Sequence, residues 1–502
     1  MKMDNLMLKF PHLQEQIFQK LNDESLFKSR EVGRSWKYLI NERNYPWLRV
    51  VNIPTILQMK NTYLHLAAES GQMDAFKKAL MEEEDKNIKN TFGETSLHHA
   101  CKNGCLKIVE LLMKNTDLNI EFSAEDSECF TAFILTCSEG HSDLAKMLME
   151  NSITLGIDLN AKEIYFGGTA FSWACEGGHS DVVKNIIKNA SILSIDIDTK
   201  NYEGLTGFHL ACKRGHANVV KVFMENSAIL SIDLNAKEEI YGYTGLLWAC
   251  KGGHSDAVKI FMENAAIVDL NYKDNSDRTA FNIAFHMVCE WGDSNIAKIF
   301  MENSAILGID LNAKNKRSET AFHIVCDLGH SNLAKLFIEN SVTSRIDLNA
   351  KDIAGKTAFH LACAFGYSYM AKIFIENSAT FSIDLNAKDN VGRTAFHLAC
   401  AFGQSNVAKM LIENSATFGI DLYAKDIAGQ TAFHFAIKSG HFNVAKVFLE
   451  NSATPSIVLN AMNKSGRTAF DWASTSSCKR TKKLMLNNAN KLLANHRSNS
   501  NV

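Results

Sequence analysis

A four-residue motif that begins with threonine recurs twelve times along this chain of 502 residues. Ten of the eleven spacings between successive motif threonines fall between 33 and 38 residues. The clearest copies read Thr-Ala-Phe-His and begin at Thr320, Thr357, Thr394 and Thr431. A fixed period of this length predicts an array of stacked units, each packed only on its neighbours, and such arrays offer extended surfaces for binding.

The unit from Asp352 to Lys388 shows how one repeat should fold. Thr357 can cap the free N–H groups at the start of a first helix, and Gly366, nine residues later, suits its end. Ser368 then begins a second helix, and Asn377 suits a left-handed residue at its close. The repeat is therefore predicted to run turn, helix, short loop, helix.

This order of elements resembles the ankyrin repeat, whose pattern carries Thr-Pro-Leu-His and a later Gly-His pair. The pair occurs here at Gly140-His141, Gly178-His179, Gly215-His216, Gly253-His254, Gly329-His330 and Gly440-His441. The resemblance covers about residues 60 to 490 and implies an all-α solenoid of helix–turn–helix units with short turns. The period is mostly 37 residues, and about four extra residues before Asp-Leu-Asn, as in Thr380 to Ile383, predict a longer loop there.

One unit departs from the others within its first helix. Thr279 and Gly292 are 13 residues apart, whereas this distance is nine in every earlier unit and in the four that follow. Four residues are close to one helical turn, so the packed face is roughly preserved. The insertion predicts either a longer helix in an otherwise regular array or a bend that divides the array into two halves.

The composition is that of a folded protein without a strong charge bias. Hydrophobic residues make up 46%, and a net charge of −2 gives no field that would draw the chain to nucleic acid or an anionic membrane. No apolar run is long enough to span a bilayer, and Met1 to Pro11 has no apolar core of a signal peptide. These features favour the cytoplasm or the nucleus.

Nine of the twelve cysteines occupy one repeat position: Cys101, Cys137, Cys175, Cys212, Cys250, Cys289, Cys326, Cys363 and Cys400. A whole unit separates each from the next, which is too far for a disulfide along a straight stack. They are predicted to be buried thiols in a reducing compartment, and no C-x-x-C cluster suggests a metal.

Histidines recur with the motif in the same way. Thirteen of the 17 stand at the motif or Gly-His positions, which predicts structural hydrogen bonds. The chain has no P-loop, no G-x-G-x-x-G, no H-E-x-x-H and no pairing of histidine with a serine or cysteine nucleophile. Neither catalysis nor a cofactor is therefore expected.

The first fifty residues follow a different pattern. Ile17, Phe18 and Leu21 share one helix face, and two further short helices carry Leu26 to Val32 and Trp36 to Ile40. The segment resembles an F-box over about residues 8 to 50. Phe10-Pro11, Ile17-Phe18-Gln19-Lys20-Leu21, Ser25-Leu26, Arg30-Glu31-Val32-Gly33-Arg34-Ser35-Trp36 and Trp47 stand where that family has Leu-Pro, Ile-Phe-x-x-Leu, Asp-Leu, Arg-x-Val-Cys-Arg-x-Trp and a further Trp.

The F-box resemblance implies a binding site for the Skp-type adaptor of a cullin–RING ubiquitin ligase. The residues implied to insert into that adaptor are Pro11, Ile17, Phe18, Leu21, Leu26 and Val32. The sequence departs from the family where Phe10 replaces Leu and Gly33 replaces Cys. The alternative interpretation is a hydrophobic helical cap on the first repeat.

The residue before the glycine that ends the first helix is large and apolar in four consecutive units: Trp291, Leu328, Phe365 and Phe402. Ile353, Val391 and Ile427 are predicted to occupy matching turn positions beside them. If they face outward, these residues form an apolar stripe of the kind that marks a binding site, and we predict that they hold a protein target. The alternatives are burial between neighbouring units or the copying of one residue among near-identical units.

The predicted organisation has an F-box-like module at residues 1–50, a short linker at 51–60, about twelve ankyrin-like units at 61–490 and a frayed tail at 491–502. The predicted function is that of a non-catalytic adaptor: the N-terminal module docks on a ubiquitin ligase and the array selects an unknown target protein. The alternative is an ankyrin scaffold unrelated to ubiquitin, whose N-terminal helices serve only as a cap.

Overall fold

The computed structural model describes residues 61–230, 232–268, 270, 280–450, 460–473 and 479–484. The F-box-like segment, the linker at 51–60, Thr279 and the tail at 491–502 lie outside the described residues. The chain divides into two compact units, which we call unit 1 (residues 1–252) and unit 2 (residues 253–502).

Unit 1 is a stack of helix pairs that follow the predicted repeat. The first helices are Tyr63–Ser70, Ser96–Lys102, Ala132–Ser138, Ala170–Glu176, Gly207–Arg214 and Gly245–Lys251. The second helices are Met73–Glu82, Leu106–Lys114, Ser142–Glu150, Ser180–Leu193 and Ala217–Leu230, with a 3₁₀ turn at Thr116–Leu118 and one helical turn at Ser152–Leu155.

Unit 2 repeats the same arrangement. Its first helices are Ala280–Trp291, Ala321–Asp327, Ala358–Phe365, Ala395–Ala401, Ala432–Lys438 and Ala469–Ala473. Its second helices are Ser255–Glu263, Ser294–Leu307, Ser331–Glu339, Ser368–Asn377, Ser405–Glu413 and Phe442–Glu450, with one helical turn at Ser415–Phe418. Since the described residues contain only helices and isolated β-bridges, the all-α helix–turn–helix fold class is confirmed.

Within each unit a first helix packs against the first helix of the next repeat and against its own second helix. The motif phenylalanines fill the space between these layers. Phe322 lies 5.2 Å from the ring of Phe337 in its own second helix and 5.5 Å from that of Phe374 in the next. Phe359 continues the series, 5.3 Å from Phe374. All are almost fully buried, so these ring contacts join successive repeats into a continuous core.

The motif histidine bonds its own repeat and the next one. In His360, Nδ1 accepts the backbone N–H of Thr357 at 3.1 Å, and Nε2 donates to the carbonyl oxygen of Arg393 at 3.1 Å. The same pair of bonds is made by His65, His98, His209, His323, His397 and His434. The prediction of structural hydrogen bonds is confirmed for these residues. Burial lowers the pKa of all seven imidazoles, which keeps them neutral and suits an accepting Nδ1.

In most repeats the residue after the helix-ending glycine makes a second bond between repeats. His141 Nε2 donates to the carbonyl oxygen of Lys102 in the preceding repeat at 3.0 Å, and His179, His216, His330 and His441 do the same. Where histidine is absent, Tyr367 Oη or Gln404 Nε2 donates to the equivalent carbonyl. Asp293 stands at the same position, but its side chain instead accepts the backbone N–H groups of Asn295 and Ile296 in its own helix.

The predicted longer loop is wrong for five repeats, in which the extra residues are helical. In three of them the second helix extends to 14 residues, and Ser152–Leu155 and Ser415–Phe418 are separate helical turns. At Thr380 to Ile383 the chain forms a tight turn, in which the Phe381 N–H donates to the Asn377 carbonyl at 3.0 Å.

The expected left-handed residue at Asn377 is also wrong. That position is helical, and the left-handed residue is Ser382, five residues later. Asn349 Nδ2 of the preceding repeat donates to the Ser382 carbonyl at 2.9 Å. This bond between repeats holds the turn in place.

The four-residue insertion lengthens one first helix. Ala280–Trp291 has 12 residues, whereas most other first helices have seven or eight. The insertion thus adds about one turn to the first helix in the described part of this repeat. The boundary between the two compact units lies earlier, between Gly252 and Gly253.

All nine recurring cysteines are buried thiols outside any disulfide, as predicted. Each lies in a first helix that packs on neighbouring first helices, where a small side chain allows close approach. Burial raises the pKa of eight of them, to about 12 for Cys101.

Candidate protein-binding surface

The four apolar residues at the ends of first helices in unit 2 are exposed to solvent. We call Trp291, Leu328, Phe365 and Phe402 the apolar column; their side chains are 45% to 59% exposed. Each stands at the last position of its helix or at the cap, directly before a glycine with positive φ. The left-handed glycine turns the chain toward the second helix, while the preceding side chain remains at the surface.

The spacing of the apolar column is fixed by bonds to the backbone just before it. His330 donates to Glu290, Tyr367 to Asp327, Gln404 to Ala364 and His441 to Ala401, and each acceptor precedes a column residue. The consecutive first helices also pack directly on one another. The column is therefore held on a rigid part of the repeat.

The three predicted turn residues are also exposed. Ile353, Val391 and Ile427 are 69%, 45% and 59% exposed. Ile353 and Ile427 directly follow the aspartate that begins their turns, whereas Val391 lies one residue later, so the assumed match of positions is wrong for Val391. Val391 is nevertheless adjacent to Ile427, because the Ile427 N–H donates to the Val391 carbonyl at 3.0 Å.

Unit 1 carries a feature that the sequence analysis missed. Two turns are one residue longer than the others and begin with Glu163 or Glu238 in place of Asp or Asn. The carboxylate of Glu163 accepts three backbone N–H groups at 2.7 to 2.9 Å, and that of Glu238 accepts three at 2.6 to 3.0 Å. Burial alone would raise the pKa of Glu238, but these donors outweigh it and lower the pKa.

Each longer turn places aromatic rings against a tryptophan of the following first helix. Phe166 lies 6.1 Å from Trp173, while Tyr241 and Tyr243 lie 6.2 and 5.5 Å from Trp248, between ring centroids. The signal in the sequence was a tryptophan four residues after the motif threonine, preceded by aromatic residues in the turn. Beside Trp173 lies an open groove of about 550 Å³.

The described residues include no cluster of three or more His, Cys, Asp or Glu placed to hold a metal ion. None of the helices in the described ranges has the length and apolar character needed to cross a membrane.

Comparison with known families agrees with the geometry. The family model for ankyrin repeats in three copies matches residues 64–163, 153–238, 227–315, 285–389, 341–426 and 416–495, which together span most of the chain. A search of the curated proteins finds no match. Ankyrin arrays are typically non-catalytic scaffolds for binding other proteins. The chain belongs to the ankyrin-repeat family.

Proposed function

We propose that this protein is a non-catalytic adaptor that holds a target protein on the apolar column of unit 2. The observation that carries the proposal is the exposure of Trp291, Leu328, Phe365 and Phe402 at one position of four consecutive repeats. Proteins in water rarely leave contiguous apolar side chains uncovered, and tryptophan and other aromatic residues are enriched where partners bind.

Exposed turn residues of the same array offer further apolar groups to a partner. Ile353 and Ile427 add aliphatic groups on a rigid ladder of turns, where the backbone N–H of Ile353 donates to the Arg317 carbonyl at 3.0 Å. Because the backbone is already fixed, binding a partner would order few main-chain groups. Preorganisation of this kind improves affinity for a given contact area.

The second part of the proposal concerns residues 1–50, which lie outside the described residues. The F-box resemblance of Pro11, Ile17, Phe18, Leu21, Leu26 and Val32 supports binding to the Skp-type adaptor of a cullin–RING ubiquitin ligase. A chain that binds the ligase at one end and a target on the array would act in the cytoplasm or nucleus by raising the local concentration of target lysines.

Capture of the target tests the apolar column. The full-length chain, a Phe365→Ser/Phe402→Ser variant and an Ile306→Ser control would each be used to recover proteins from a cell extract. Ile306 is 82% exposed but lies on a second helix, away from the apolar column. We expect a protein that wild type and Ile306→Ser retain and the double variant loses. Equal recovery by all three would exclude the apolar column.

Binding of purified Skp-type adaptor tests the ligase connection. We expect the full-length chain to bind the adaptor and a Pro11→Ala/Ile17→Asp variant to lose it, with the Phe365→Ser/Phe402→Ser variant unaffected. If the intact chain does not bind the adaptor, the protein is a scaffold unrelated to ubiquitin ligases.

A further inference from the structure

Three first helices carry tryptophan at the same position, four residues after the motif threonine: Trp173, Trp248 and Trp472. In two of them the chain places its own ammonium group over the indole. Lys213 and Lys251 Nζ lie 5.0 and 4.9 Å from the Trp248 ring, and Lys438 Nζ lies 5.1 Å from the Trp472 ring. These distances are typical of cation–π contacts.

The site at Trp248 is an aromatic cage that its own repeat fills. Lys251 Nζ lies 4.9 Å from the Tyr241 ring and 5.3 Å from the Tyr243 ring as well as 4.9 Å from Trp248. Tyr241 and Trp248 are nearly perpendicular, as are Tyr243 and Trp248. The Trp248 site therefore combines a long turn, held by a buried glutamate, with a tryptophan in the helix that follows. In this geometry the protein already binds an ammonium group.

Trp173 stands in the same arrangement without such a lysine. The two positions that supply Lys251 and Lys213 to Trp248 hold Glu176 and Ser138 at Trp173. Phe166 corresponds to Tyr241, while Gly168 stands where Tyr243 stands and adds no ring to the cluster. Phe130, from the preceding turn, completes the cluster at 5.6 Å from the Trp173 ring.

The charges around this groove favour a cation. Its lining includes five carboxylates, among them Glu128 and Glu139, which are exposed and make no ion pair among the described residues. Two cations line it as well: Lys102, and Arg214, which is bound to Glu176 at 2.6 Å. The aromatic surface thus lies in a predominantly negative setting, which attracts an ammonium group by Coulombic forces and through the ring faces.

We propose that the groove at Trp173 binds a basic segment of a partner protein by placing a lysine ammonium group against the rings of Phe130 and Trp173, which line it. Lys251 in its own cage is the intramolecular counterpart of this contact. The site lies within unit 1 and does not depend on the apolar column of unit 2.

Fluorescence anisotropy with a fluorescein-labelled peptide of six lysines tests the proposal on the full-length protein. The same peptide with all lysines acetylated removes the charge and should not bind. We expect Trp173→Leu to weaken binding of the lysine peptide about tenfold or more. Trp248→Leu, the same change in the cage that Lys251 occupies, is the matched control and should bind as wild type does.

Two further variants separate this site from general attraction to acidic surface. Glu176→Lys places a lysine where Lys251 stands in the other cage, so it should occupy the cluster and abolish peptide binding. Glu176→Gln removes the same carboxylate without supplying a cation and should weaken binding only about two- to threefold. A Phe365→Ser/Phe402→Ser variant should bind the peptide as wild type does, so this result is independent of the proposed function.

The proposal is overturned by any of three results. These are equal binding of the acetylated peptide, equal loss in Trp173→Leu and Trp248→Leu, or equal binding by Glu176→Lys and Glu176→Gln. If Trp173→Leu lowers the melting temperature, Glu128→Gln/Glu139→Gln replaces it, since both carboxylates are exposed. That double variant should lose about fivefold or more in affinity while the fold is unchanged, and unchanged affinity would also overturn the proposal.

Discussion

His330 Nε2 donates to the carbonyl oxygen of Glu290 at 2.9 Å, one residue before the exposed Trp291. The bond crosses from one repeat to the one before it and fixes the end of the helix that carries the tryptophan. The equivalent bonds at Tyr367, Gln404 and His441 fix the next three helix ends. The position of the apolar column therefore follows from the hydrogen bonds that hold the repeats together. A side chain that stabilises the array also determines where its candidate binding surface lies.

Acidification should destabilise the array through the seven motif histidines. Burial lowers the pKa of each, to about 4 for His65, so below pH 6.5 the unfolded chain binds protons that the folded chain does not. The free energy of unfolding should therefore be highest above pH 6.5 and fall as the pH drops toward 4. The slope is at most about 1.4 kcal/mol per pH unit for each histidine.

Thermal unfolding between pH 7.5 and 4.5 checks this dependence. His99 opposes the trend: burial lowers its pKa, but hydrogen bonds to Glu69 and Glu94 outweigh burial and raise it. A His360→Asn variant should show a shallower fall in melting temperature than wild type, since one titrating group is gone. A melting temperature that does not change over this range would contradict the prediction.

Replacing a motif histidine should cost more than replacing a Gly-His histidine. His360→Ala leaves the buried Thr357 N–H and the Arg393 carbonyl without their partner, and we expect a loss of about 2–3 kcal/mol. His330→Ala breaks one bond at a solvent-exposed site, where water can replace the donor, and should cost about 1 kcal/mol. Urea unfolding of the two variants measures the difference, and equal losses would show that the two bonds are equivalent.

The apolar column should contribute little to stability. Phe365→Ser/Phe402→Ser changes two exposed side chains and should alter the free energy of unfolding by no more than about 1 kcal/mol. Phe359→Ala, in the same repeat as Phe365 but 2% exposed, removes a buried ring and should cost about 3–5 kcal/mol. Chemical denaturation compares them, and a large loss in the double variant would assign the apolar column to the core.

Glycines at helix ends should differ in their tolerance of alanine. Gly329 has φ of +80°, and an added Cβ would lie 2.8 Å from the Tyr367 ring of the next repeat. Gly419 has φ of +66° with open space around it, so Gly419→Ala carries only the left-handed strain of about 1 kcal/mol. We expect Gly329→Ala to be less stable than Gly419→Ala by about 1–3 kcal/mol. Similar melting temperatures would show that the Tyr367 ring moves aside freely.

The recurring cysteines should resist alkylation in the native protein. Burial excludes reagent from all nine thiols and raises the pKa of residues such as Cys101 and Cys363, so little thiolate is present at pH 7.5. Cys105 and Cys129 are partly exposed and should react first with iodoacetamide. Mass spectrometry of peptides after brief labelling identifies the modified sites, and rapid labelling of Cys363 would indicate that the repeats open readily.

Much of the repeat was predictable because its signals are local. The spacing from Thr357 to Gly366 sets the first helix, and one small cysteine per unit indicates a packed helix face. The residues after Asn377 were misjudged, because their turn is stabilised by Asn349 of the preceding repeat, a contact that the segment's own residues do not signal. Contacts between repeats that lie 37 residues apart along the chain cannot be inferred from the sequence of one repeat alone.

The sequence by itself determined the period, the helix pairs, the buried thiols and the recurrence of a large apolar residue before the helix-ending glycine. Only the tertiary structure decided that Phe365 and Phe402 are exposed, that Lys251 occupies an aromatic cage of its own and that the cluster at Trp173 is open. The physical reason is that periodicity fixes the direction of a side chain relative to its own helix, whereas exposure depends on what the neighbouring repeat places against it.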